Sequence, residues 1–355
     1  MKRISKLLTM AIISGLFLNS CSSDDDIVDP VEPQPEEGAY TDGFFVLNEG
    51  NSGGGSVTFI NNDLENVEQE IYKAANAGDD LGQYMQSIFF EDDLAFIISN
   101  GSNLITVVDR HTFELVGKVD SGLNVPRYGT VENGKAYVTN LAGFENADAT
   151  EFDDYVAVID LETLQVEETI ALNAPAEYIV EEAGNIYVQN AVFGAGNTVS
   201  VIDAGSNEIV NIIETEETLN SIEIENGALY ALSASKLEKI DLISGAVLDE
   251  IEINTDAGSA ANLVVEDGII YYTIGNSVFM MEENAEVAPE DALFSYTSNS
   301  DFGIMYGFEV EDDRIYIADG GDFSSNSFVE IYSLSGELLE NIEVGVAPNG
   351  FYFND

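Results

Sequence analysis

From residue 43 to the C-terminus, the chain alternates short runs of β-branched and aromatic residues with brief polar interruptions. An aromatic residue inside such a run recurs at Phe45, Phe96, Tyr137, Tyr187, Tyr230, Tyr271 and Tyr316, in steps of 51, 41, 50, 43, 41 and 45 residues. Seven copies at this period, built from strand-forming residues, predict four strands per repeat rather than a pair of helices.

Each copy reads in the same order. A first strand such as 127–131 runs into a tight turn, Glu132-Asn133-Gly134, Glu225-Asn226-Gly227 or Glu266-Asp267-Gly268. Asn-Gly and Asp-Gly suit two-residue hairpins because both turn positions need φ > 0. The second strand carries the aromatic, as in KAYVTN at 135–140, and a loop of variable length follows. The third strand ends on Asp at 104–109, 155–160, 198–203 and 236–241. Such an Asp is turn chemistry, since its carboxylate accepts from the next backbone N–H groups. A fourth strand, for example 208–213, completes the unit.

A four-stranded unit of this size cannot bury both faces alone, whereas seven stacked around an axis can. Residues 43–355 number 313, or about 45 per unit, so the expected fold is all-β, a seven-bladed β-propeller. The chain enters on a second-type strand at 43–47 and finishes on an orphan inner-type strand at 350–354. Pairing those two gives a one-plus-three closure of the ring.

In such a blade the loops joining strands two to three, and four to the next blade, share one face. The long segments 48–55, 74–84, 140–154, 190–197, 297–306 and 319–327 all fall there, and long loops on a rigid scaffold are where binding resides. Around the axis on that face, Tyr84-Met85, Arg127-Tyr128, Glu177-Tyr178, Asn220, Asn262, Tyr306 and Asn349 stand at the entries of the inner strands. Tyr offers a flat surface with a hydroxyl, and Asn offers both donors and acceptors. Such a ring with one Arg suits a large, amide-rich, partly apolar ligand. Asn48, Asn140, Phe144, Asn190, Phe193 and Phe323 on the loops are secondary candidates. The sole histidine, His111, falls on the opposite face, which weakens a catalytic reading. No catalytic residue and no cofactor are expected.

Composition narrows the partners. Eleven basic residues stand against 66 acidic ones, a net charge of −55, so no basic stripe for nucleic acid can form. With 45% hydrophobic residues the chain is nonetheless globular rather than a disordered acidic tail. A single Cys excludes a disulfide framework and a cysteine-rich zinc site. The acidic loop 145–154, with Glu145, Asp148, Glu151, Asp153 and Asp154, is oxygen-rich as Ca²⁺ sites are, but lacks an EF-hand spacing. No metal site is assigned.

Lys2, Arg3 and Lys6 precede an apolar run at 7–18, the pattern of a secretory leader too short to span a bilayer as an ordinary helix. The sequence Leu18-Asn19-Ser20-Cys21 resembles the lipobox of bacterial lipoproteins, which implies cleavage after residue 20 and lipidation of Cys21. Removal of residues 1–20 leaves eight basic against 66 acidic side chains, a net of −58. The following Ser22-Ser23-Asp24-Asp25-Asp26 resembles the acidic export signal of Bacteroidota surface lipoproteins. Residues 21–42 then form a Pro/Glu-rich stalk.

KAYVTN, with a V-x-V-I-D strand about 20 residues on, resembles the YVTN-repeat, YncE-like seven-bladed propellers over residues 43–355. With the lipobox, the acidic signal and the NEG loop after the first strand, the chain is similar to propeller lipoproteins of Bacteroidota that capture cobalamin. That resemblance implies a corrinoid (cobalamin) ligand in the loop-side funnel, passed to a TonB-dependent outer-membrane transporter. It also implies a cell-surface location, on the outer membrane through the lipid anchor alone. A siderophore, haem or glycan cargo, a protein–protein scaffold, and a hydrolase or lyase remain open. The negative field disfavours anionic siderophores, and haem capture usually wants an axial ligand.

Overall fold

The structure, a computed structural model, describes residues 38–143 and 152–354. The leader, Cys21, the linker up to residue 37, Phe144, Glu145, Asp148 and Glu151 lie outside the described residues. The described chain forms seven four-stranded antiparallel sheets, the blades of a seven-bladed β-propeller. Six are consecutive in sequence and are numbered one to six, from the inner strand Met85–Glu91 onward. The remaining, closing blade joins both ends of the chain. Its inner strand, Pro348–Phe353, pairs with the entering strand Gly43–Asn51 through registers such as Phe45 with Tyr352. The one-plus-three closure is therefore present.

Period-two alternation explains the burial. Successive side chains of a second strand point to opposite faces, and here each face meets a neighbouring blade. In blade two, Ala136 and Val138 join the apolar cluster shared with blade one, while Tyr137 joins the cluster shared with blade three. Seven such clusters lie among the described residues, one at each interface between blades. All seven repeat aromatics are buried in them, none more than 3% exposed. Outer strands such as Glu208–Glu214, with one face to solvent, are mostly exposed.

The turns follow the local chemistry. Asn133-Gly134, Asn226-Gly227 and Asp267-Gly268 all take positive φ, between 49° and 77°. Asp160 accepts from the Thr163 N–H and hydroxyl, both at 2.7 Å. Asp203 does so with Ser206, both at 2.8 Å, and Asp241 with Ser244. Asp109 accepts from His111 N and from Thr112.

Three segments differ from the expected loops. In 48–55 and 190–197 the hairpins simply continue, as Gly43–Asn51 with Gly54–Asn61 and Asn185–Val192 with Ala195–Asp203. The second closes at Phe193-Gly194, where both residues have positive φ, the requirement of a two-residue turn. The segment 74–84 is preceded and opened by a five-residue helix, Ile71–Ala75, which has no side-chain N-cap and so left no sequence signal.

Candidate functional site

Six of the seven inner strands carry a strained residue at or near their loop-face start. Tyr84, Val125, Thr218, Asn262, Met305 and Ala347 all have φ between 51° and 60°, a left-handed conformation that non-glycine residues adopt rarely. Just inside these kinks, side chains clasp one blade to the next around the axis. Ser87 Oγ donates to Arg127 O at 2.7 Å and Thr139 Oγ1 to Glu177 O at 2.7 Å. Gln189 donates to Asn220 O, Asn220 to Ala260 O at 2.6 Å, and Asn262 to Met305 O at 3.3 Å. The Tyr306 hydroxyl donates to Glu49 of the closing blade, and Asn349 Nδ2 to Met85 O at 3.0 Å. All seven interfaces are thus bridged at the mouth.

A cavity of about 590 Å³ opens beside this ring, within the size range of small-molecule sites. Tyr84, Arg127, Tyr128, Phe193, Tyr306 and Asn349 line it, together with Glu49, Gln86, Asn100, Gly101 and Val125. It therefore draws on blades one, two, three and six and on the closing blade. Tyr84 is 37% exposed and Phe193, at its hairpin tip, 77%. Phe323 stands edge-on to Tyr306 at 5.2 Å and supports that ring from behind.

Charge in the cavity is unevenly matched. Arg127 forms a fork on Glu177, with Nε to Oε2 at 2.9 Å and its second arm to Oε1 at 2.5 Å. Its remaining arm meets Gln86 Oε1, which also accepts from Asn100 at 2.8 Å. The pair is largely withdrawn from solvent, at 11% and 14% side-chain exposure, and bidentate geometry makes it a strong contact. Glu49 carries the other charge. Burial pushes its carboxyl above the ordinary range, against the pull of the Tyr306 hydroxyl and of Arg127. Burial likewise pushes the Tyr128 phenol up to about 12.

Several expected residues sit elsewhere. Asn48, Asn140 and Asn190 are at most 2% exposed and do not reach the cavity. Each lies in the loop-face half of a second strand and spends its amide locally. Asn48 donates to Thr58 Oγ1 at 3.0 Å, Asn140 to Val138 O at 2.9 Å and Asn190 to Pro175 O at 2.9 Å. Asn220 and Asn262 are clasps, with their donors committed to the neighbouring blade.

Tyr178 does not line the cavity but stands edge-on to Tyr128, which does, at 5.5 Å. The charges of Glu223, Glu309, Tyr128 and Tyr352 all raise its phenol further after burial itself. These five groups come from blades two, three, four and six and the closing blade, so they gather about the axis. Sequence reading missed Glu49, Gln86, Asn100, Glu223 and Glu309. The signal for the last two was a lone carboxylate between apolar neighbours of an inner strand, Ile222-Glu223-Ile224 and Phe308-Glu309-Val310.

His111 lies on the hairpin face, with Nε2 3.4 Å from Asp93, away from the cavity. Of the acidic loop, Asp154 is buried and accepts from Ala176 N at 2.8 Å, while Asp153 accepts from Gly143 N. Among the described residues no group of three or more His, Cys, Asp or Glu is placed to hold a metal.

Fold and cavity together define a seven-bladed propeller with a ligand-sized, aromatic and amide-lined funnel on its loop face. Within that class the chain belongs to the family described as a domain of unknown function (DUF5074), whose model matches residues 42–354. No curated protein matches the sequence. Among solved structures, it is similar to a quinonprotein alcohol dehydrogenase-like protein from Bacteroides thetaiotaomicron. The TM-score is 0.68 at 15% identity, over 89% of this chain and 79% of that one. A second is hydrazine synthase of Kuenenia stuttgartiensis, at TM-score 0.60 and 19% identity over 73% and 85% of the two chains. At such identities these likenesses show the fold alone.

Proposed function

We propose that the protein is a surface capture protein that takes an amide-rich ligand, a corrinoid of the cobalamin type, into the loop-face funnel without catalysis. The observation that carries this reading is the convergence of Tyr84, Arg127, Tyr128, Phe193 and Tyr306 on one open cavity of about 590 Å³. Aromatic faces would cover the apolar edge of a corrin, and Gln86, Asn100 and Glu49 would meet its peripheral amides. The funnel opens to solvent, so it would grip one edge of such a ligand and leave the rest outside. In this proposal Cys21 is lipidated, residues 21–42 are the tether, and the chain stands on the outer membrane. It then hands its cargo to a TonB-dependent transporter. A protein contact at the same rim is favoured by Phe302, 88% exposed, and Ile304, 41% exposed, on the loop that leads to Tyr306.

To test it, the lipid-free chain from Ser22 onward is mixed with cyanocobalamin, desalted, and examined for co-eluting corrin absorbance. The wild type should retain the ligand about 1:1. Tyr128→Ala and Tyr306→Ala should each weaken retention on the order of tenfold, as loss of an aromatic anchor does, with the circular dichroism unchanged. A colourless wild-type protein would remove the corrinoid reading, and retention unaffected by both variants would move the site.

A further inference from the structure

Among the described residues the one cation lining the funnel is Arg127, and its charge is paired with Glu177. Nε and one arm fork onto Glu177, and the other arm meets Gln86 Oε1. Three of its five N–H donors are committed in this way, and its charge is neutralised by the Glu177 carboxylate. Glu49 is in the opposite situation. Among the described residues no cation lies within ion-pair distance of it, and its one side-chain hydrogen bond comes from the Tyr306 hydroxyl, to Oε2. A carboxylate thus faces the ligand space with Oε1 open.

Its position is built rather than incidental. The Glu49 N–H donates to Ala347 O at 2.9 Å, which ties it to the inner strand of the closing blade. Gly55 lies so close that a Cβ there would stand 2.5 Å from Glu49 O. The glycines of the N-E-G-N-S-G-G-G stretch let the two strands approach and hold Glu49 at the funnel wall.

We infer that Glu49 sets the specificity of the funnel: it admits groups that present N–H donors, primary amides or ammonium ions, and rejects groups that present carboxylates. An amide N–H donates to Oε1 in a charge-assisted hydrogen bond, stronger than a neutral one. A carboxylate brings no donor and meets a like charge in a partly desolvated site. This inference rests on the reading of the funnel as the binding site, but not on the corrinoid as its cargo.

The test compares cyanocobalamin with its derivative in which one side-chain amide is hydrolysed to a carboxylate, by titration calorimetry on the lipid-free chain and on Glu49→Gln. Glutamine keeps the shape and can still accept from Tyr306. The wild type should bind the amide form at least about tenfold more tightly, and E49Q should bring the two within about threefold. Equal affinities in the wild type, or an unchanged preference in E49Q, would overturn the role of Glu49. Should the wild type bind neither corrinoid, the cargo is wrong, and the same two proteins are then compared by ligand-observed NMR with benzylammonium and benzoate. A preference for benzylammonium that E49Q loses supports the inference, and a preference that E49Q retains contradicts it.

Discussion

At the scale of single residues, the axis concentrates unbalanced carboxyl groups. Burial, followed by the charges of Glu309, Glu225 and Glu266, raises Glu223 from an ordinary value of 4.5 to about 8. Burial raises Glu309 to about 7, with Glu311 and Glu266 adding to it and the Val310 N–H opposing. Between the unfolded and folded values the native state holds more protons than the unfolded chain, so stability falls as pH rises. The contribution is complete below about pH 4.5 and is lost as pH passes through 7 to 8. The thermal midpoint should therefore drop from pH 5 to pH 8.5, and Glu223→Gln should raise the midpoint at pH 8.5 by several degrees while leaving it nearly unchanged at pH 5. A pH slope identical in the two proteins would contradict this electrostatic account. Aromatics at the funnel were legible in the sequence because strand order fixes where each inner strand begins; Tyr84, Arg127, Tyr128 and Tyr306 follow from that alone. The asparagines were not, because the same amide serves equally as ligand contact, local bond beside its own strand or clasp between blades. Asn48, Asn140 and Asn190 became the second of these, and Asn220 and Asn262 the third.

At the scale of elements, the repeat carries its own turn code. An Asp closes the third strand, a Ser or Thr stands three residues on, and the next residue takes positive φ. Leu164, Asn207 and Gly245 are examples, at 55°, 56° and 66°. The Asp carboxylate supplies the acceptors that let even a Leu occupy that position. Asp203→Ala removes the bonds from Ser206 N and Oγ, both 2.8 Å, and should lower stability by about 1 kcal/mol in urea unfolding, as loss of such bonds generally does. Asp203→Asn, which keeps an acceptor, should recover most of it; equal losses in both variants would point to charge instead. Strand order, turns and repeat aromatics were readable because each rests on local chemistry with a fixed period. The helix Ile71–Ala75 and the extended hairpin at Phe193-Gly194 were not, since the first lacks a cap and the second places a bulky residue at φ 51° where Asn or Gly is usual.

At the scale of the whole molecule, ring closure decides whether a funnel exists at all. The last strand, Pro348–Phe353, pairs with Gly43–Asn51, and Phe351 packs 5.5 Å from Tyr316 of blade six. That one strand thereby completes the blade that carries Glu49 and Asn349. The closure was legible from the unmatched strand types at the two ends of the repeat region. The charge asymmetry of the funnel was not, because it depends on which partner Arg127 chooses, and Glu177 lies 50 residues away. With a net charge of −55, and with the one cation among the described funnel residues paired, the proposed site would favour neutral or cationic cargo. The most direct measurement is a crystal structure of the lipid-free protein grown with cyanocobalamin. The account predicts corrin density at the loop face, against Tyr84, Tyr128 and Tyr306 and with a side-chain amide within hydrogen-bond distance of Glu49. Density on the hairpin face, or none at saturating ligand, would contradict it.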